Sequence, residues 1–201
     1  MSEECRWLHE QLEQLPPVRF PFRAEQLPTN GIYFFYETGE IWGHGGDKPR
    51  IIRIGTHKDR NFRSRIAEHF LLNPRKMEFN KDEPKPSDRS IFRKNIGRAI
   101  LKKANDPYLE VWEIDFIKNE NRERYAWKRD IKKERKTEEE ITWVLREKFC
   151  FRCITINGET LRMGNTGLES SLIATVAQCG QCRPSPNWLG KHSPVEKIRE
   201  R

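Results

Sequence analysis

Two short apolar runs with glycine at their margins constrain this chain more than anything else in it. Gly31-Ile-Tyr-Phe-Phe-Tyr-Glu37 is bounded by Asn30 and Gly39, and Arg50-Ile-Ile-Arg-Ile-Gly-Thr56 follows a connection holding Gly43, Gly45, Gly46 and Pro49. β-Branched and aromatic runs of this length predict strands, and the turn formers between them predict an antiparallel pair joined by a wide loop over 38–49. Helices are expected around that pair. Residues 3–15 read as a short amphipathic helix stopped by Pro16-Pro17. Asn61 to Leu72 places Phe62, Ile66 and Phe70 on one helical face and ends before Pro74. A polar loop is expected over 75–87 and a basic helix from Ser90 to Lys103. Tyr108 to Phe116 alternates apolar and polar residues and predicts a strand. The charged stretch from Asn119 to Lys148 predicts one or two exposed helices, the second opened by the capping box Thr137-x-x-Glu140. A strand over 149–156 and a helix from Thr166 to Gln178, closed by Gly180, complete the pattern.

The charge is uneven. The 201 residues carry 38 Lys and Arg against 30 Asp and Glu, a formal net charge of +8. Between Lys48 and Lys103 the count is 17 against 6, so the remainder is net acidic. A regional basic excess is the footprint of a polyanion binder, and Lys58, Arg63, Arg93, Lys94 and Arg98 are the expected phosphate contacts. No stretch approaches the ~18 consecutive apolar residues of a membrane helix. The opening MSEECRWLHE has neither a basic nor an apolar leader segment, which predicts no secretory signal and a cytoplasmic address. There, the five cysteines are expected as reduced thiols or metal ligands and not as disulfides.

Four pieces carry chemistry, in this order: a strand with Gly31-Ile32-Tyr33, a strand with Arg53-Ile54-Gly55, a helix with Arg65 and His69 one turn apart, and a late helix opening with Glu169, followed by Asn187 in a loop. This order resembles the GIY-YIG nuclease family over roughly residues 29–72 and 150–190. The resemblance implies an α+β fold: a small, mainly antiparallel three-stranded sheet flanked by helices. It sets a lead-in over 1–28, a nuclease domain over 29–190 interrupted by a charged helical insertion at about 75–148, and a polar tail over 191–201.

It further implies Mg²⁺-dependent hydrolysis of DNA, with duplex DNA as partner and a homodimer among the assemblies left open. Glu169 would hold one divalent ion, Tyr33 would be general base, Arg65 would neutralise phosphate charge, and His69 and Asn187 would orient groups around it. Where the second motif would carry Tyr, the chain has Arg53, whose guanidinium would favour the Tyr33 phenolate. Each role has a plainer competitor. Thr166-x-x-Glu169 is a legitimate capping box, and the same fold without turnover would be a nucleic-acid-binding module.

Cys150-x-x-Cys153 and Cys179-x-x-Cys182 have the spacing of a four-thiolate zinc site. In a strand, however, positions i and i+3 face opposite ways, so buried reduced thiols are the expectation and structural Zn²⁺ the lesser reading.

Overall fold

The computed structural model describes residues 2–200. In chain order the elements are α1 (Ser2–Glu13), β1 (Val18–Arg19), β2 (Ile32–Ile41), β3 (Pro49–Thr56), α2 (Phe62–Phe70), α3 (Pro86–Arg89), α4 (Ile91–Lys103), α5 (Leu109–Glu113), α6 (Asn119–Tyr125), α7 (Ile131–Lys148), β4 (Phe149–Ile154), α8 (Glu159–Arg162), α9 (Leu168–Ala177) and α10 (Glu196–Arg199). They form two units. One takes the chain up to Ile66 and again Arg146–Pro186; the other takes Ala67–Leu145 and Asn187–Glu200.

The first unit holds the sheet, in the order β1-β4-β2-β3 and antiparallel throughout. Four strands stand where three were expected. The additional one, β1, is two residues long and pairs Val18 with Phe151 and Arg19 with Cys150, too short to leave a pattern in sequence. Central β2 is buried on both faces, which explains its unbroken apolar run. Ile32, Phe34 and Tyr36 meet Leu8 and Leu12 of α1, with Leu168, Leu172 and Val176 of α9 packed against them. On the other face Tyr33 and Phe35 stack edge-on, and Phe62 of α2 packs on Tyr33. Each fully buried side chain of this size contributes about 1.5–3 kcal/mol.

One irregularity in β3 shapes the site. Phe35 pairs with Arg53, but the next residue, Tyr36, pairs with Ile51, so Ile52 is an extra residue. Such a bulge shifts the alternation of faces. Ile51 and Ile54, three apart, therefore share one core cluster, while Arg53 and Gly55 lie on the face of Tyr33 and Phe35.

The second unit corrects the picture of exposed charged helices. Its interior holds three ion pairs: Arg93 pairs with Glu138 at 2.7 Å, Arg129 with Glu134 at 2.7 Å and Lys85 with Asp88 at 2.9 Å, all six side chains fully buried. Tyr108–Phe116 is not a strand. Asp106 Oδ1 accepts the Tyr108 N–H, α5 follows, and the Trp112 indole lies against Gly97, donating to the Lys94 carbonyl at 3.2 Å. Burial of one tryptophan outweighs the alternation around it.

Thr137 opens no helix. It lies inside α7, donating to the Lys133 carbonyl, and the N-terminal cap is Asp130, whose Oδ1 accepts the Lys133 N–H at 3.0 Å. A 3-10 turn over Leu189–His192, overlapping the start of the segment 191–201, packs on α4.

Candidate active site

Tyr33 and Gly55 are cross-strand partners, and the glycine is there for a steric reason. A Cβ at Gly55 would collide with the Tyr33 ring, closest to Oη and Cζ. The missing side chain lets the phenol lie against β3 beside Arg53. Gly55→Ala is therefore expected to lower stability by about 1–3 kcal/mol, the cost of overpacking. At Gly180 a Cβ would meet nothing within 4 Å, so Gly180→Ala serves as the neutral control. Equal denaturant midpoints for the two variants would remove the ring from the account.

Glu169 stands in the first turn of α9 but caps nothing. The helix starts from Gly167, and Glu169 Oε1 accepts the backbone N–H of Thr56 at 3.1 Å, at the end of edge strand β3. Burial pushes its carboxyl above the usual glutamate value, while the Thr56 N–H and the Arg53 charge pull it back. Among the described residues no other hydrogen bond reaches this carboxylate.

Around Thr56 the structure adds a residue that sequence reasoning missed. Arg162 of α8 is fully buried. Its guanidinium donates to Thr56 Oγ1 (3.2 Å), the Ile156 carbonyl (2.7 Å), the His57 carbonyl (3.2 Å) and Asp59 Oδ1 (2.6 Å). Thr56 Oγ1 in turn donates to the Gly31 carbonyl at 2.6 Å. Arg162 thus ties the start of β2, the end of β3 and the exit of β4 together under Glu169. Nothing in Glu159-Thr-Leu-Arg162 marks it in sequence.

The structure brings Tyr33, Arg53 and Glu169 to one end of the sheet. Arg65, half-buried, is one turn from Phe62 on the α2 face that packs on Tyr33. His69 is placed differently. It belongs to the second unit, is fully buried, hydrogen-bonds Ser90 Oγ through Nδ1 at 2.8 Å and meets Phe92 edge-on, so it has no open face for a phosphate. Asn187 is exposed and also belongs to the second unit.

The expected phosphate contacts need correction. Arg93 is fully buried, bonded to Glu138, Thr142 and the His69 carbonyl. Lys94 is 8% exposed and turns to the Glu113 carbonyl, and Arg98 is engaged by the Glu113 carboxylate. Glu138 and Glu113, which lie outside the counted segment, pair in space with Arg93 and Arg98 and take both out of the basic surface. Lys58 remains exposed, beside exposed Arg60, while half-buried Arg63 donates to the Leu27 carbonyl.

The cysteines also pair otherwise than their spacing suggests. Cys150 and Cys153 lie in β4, opposite Tyr36 and Tyr33. Cys179 and Cys182 gather instead with Cys5 and His44. A family model described as the GIY-YIG domain matches residues 7–201. No curated protein and no solved structure matches the chain.

Proposed function

Because the chain belongs to the GIY-YIG domain family, we propose that it is a divalent-metal-dependent endonuclease acting on duplex DNA, with Glu169 as the metal ligand. The observation that carries this reading is the state of that carboxylate. One oxygen is fixed by Thr56, no other hydrogen bond among the described residues reaches the group, and burial raises the cost of its charge until a cation joins it. One carboxylate with room for water suits Mg²⁺, which keeps several waters and takes few protein ligands. When bound, the ion supplies Lewis-acid stabilisation of phosphate oxygens.

The chain's own groups supply the rest. Tyr33 Oη takes the proton of the attacking water, and Arg53 stands on the neighbouring strand, on the same face of the sheet. Arg65 offsets the charge that builds on the phosphate oxygens. Arg162 is a positioning residue: it holds Thr56, and so the backbone N–H that orients Glu169. Lys58 and Arg60, in the turn after β3, offer phosphate contacts next to the site. His69 positions Ser90 and the chain around Arg93 and does not touch substrate.

A second reading, the same fold binding nucleic acid without turnover, is favoured by the 1% exposure of Tyr33 and by Arg53 in place of a second tyrosine. Supercoiled plasmid separates the two. The endonuclease nicks or linearises it with Mg²⁺ and spares it with EDTA. The binding module retards it intact under both conditions, and that result would overturn the proposal.

A further inference from the structure

Cys5 in α1, His44 in the β2–β3 connection, and Cys179 and Cys182 after α9 bring their donor atoms within 4.8 Å of one another. Cys5 Sγ lies 3.9 Å from Cys182 Sγ, and Cys179 Sγ lies 3.3 Å from His44 Nε2. With bonds of about 2.3 Å to sulfur and 2.0–2.1 Å to nitrogen, a tetrahedral zinc ion sets its ligands about 3.8 Å (S to S) and 3.5 Å (S to N) apart. These two pairs stand close to those separations, and no donor of the four is farther than 4.8 Å from another. We propose that Cys5, His44, Cys179 and Cys182 form a structural zinc site. Four protein donors close the coordination sphere, so the ion would brace the fold and not activate water.

The surroundings fit that chemistry. The three thiols are 0–6% exposed, and the Cys5 thiol points at Cys182 Sγ. The Gly43 N–H also points at Cys182. A Cβ at Gly43 would run into the Gln181 carbonyl, so only glycine lets the β2–β3 loop approach the Cys-Gly-Gln-Cys turn this closely.

His9 is a neighbour and not a ligand. Its Nε2 accepts the Ile51 N–H at 3.2 Å, which places the proton on Nδ1, directed at the Cys5 carbonyl at 2.9 Å. Trp42 meets the His44 ring edge-on at 5.2 Å and so orients it. The mechanical consequence concerns α9, which carries Glu169 in its first turn and ends two residues before Cys179. A metal there ties the far end of that helix to α1 and to the β2–β3 loop.

The test is metal content, which is independent of whether DNA is cut. The purified full chain, dialysed against metal-free buffer, should keep about one zinc per chain, and a strong chelator should lower its melting temperature. Cobalt substitution should give the visible absorption of tetrahedral cobalt with thiolate ligands. Cys179→Ser should cut retained zinc to roughly a tenth or less, and Cys150→Ser should keep it. Should Cys179→Ser fail to fold, His44→Ala at the half-exposed ligand serves instead, with roughly tenfold or more weaker retention and a shifted cobalt spectrum. The proposal falls if folded wild-type protein is metal-free and its thiols react equally fast with and without chelator. It falls equally if Cys5 and Cys182 are recovered as a disulfide, or if Cys150→Ser is the variant that loses the metal.

Discussion

Glu169→Gln is expected to lower Mg²⁺-dependent plasmid cleavage by roughly 10²–10³-fold or more, with the protein folded and DNA binding kept. The amide oxygen of Gln can still accept the Thr56 N–H, and Leu168, Leu172 and Val176 still seat α9 on the sheet. What disappears is the charge that a hard cation requires. Stability should move the other way. The Glu169 carboxyl titrates above its unfolded value because of burial, so its ionised form costs stability at neutral pH, and the cost fades as pH falls through that raised value. In metal-free buffer the Gln variant should therefore melt above wild type at neutral pH, with the gap closing in acid. Mg²⁺ should raise the melting temperature of wild type only. Cleavage at the wild-type rate in the variant would sink the mechanism.

Arg93→Ala is expected to lower the stability of the second unit by about 3–5 kcal/mol, the cost of stranding a buried partner. Arg93 and Glu138 are both fully buried, and the guanidinium also holds the His69 carbonyl and Thr142 Oγ1. Glu138 Oε1 further accepts the Ser87 N–H at 2.7 Å, so the loss reaches three helices. Against a typical total of 5–15 kcal/mol this is a large fraction, read as a lower denaturant midpoint. Lys58→Ala provides the contrast: exposed, it should leave the midpoint within about 0.5 kcal/mol while flattening the salt dependence of DNA binding. A midpoint in Arg93→Ala equal to wild type would contradict the buried pair.

The elements that could be read from sequence were those in which one local force dominates. The aromatic run of β2 and the isoleucines of β3 bury so much surface that no competing structure fits, and the apolar spacing of α1 and α2 is equally plain. Tyr33 and Arg53 could be placed because they ride on those two strands. Where tertiary contact decides, sequence reasoning fails. Trp112 makes a helix of an alternating segment because Gly97 offers it room. Asp130, not Thr137, caps α7, since both are competent caps and only packing selects one. The charge run was misread because counting along the chain cannot see Glu138 folding back onto Arg93. The cysteine spacing misled for the same reason, since Cys5 and His44 reach Cys179 and Cys182 only in three dimensions.

The chain order of the sheet has a kinetic consequence. Strand β2 meets β3 across a short connection, but its other neighbour, β4, arrives only after the whole of Ala67–Leu145, and Thr38 bonds the Lys148 carbonyl across 110 residues. Contacts this distant must meet a loop-closure cost before they return any stabilisation, so they form late. During synthesis the β2–β3 hairpin therefore waits with one edge of Phe34, Phe35 and Tyr36 unpaired while the second unit is made. An open aromatic edge is a template for pairing with other chains, which makes the speed at which Ala67–Leu145 folds and delivers β4 a determinant of how much of this protein escapes aggregation.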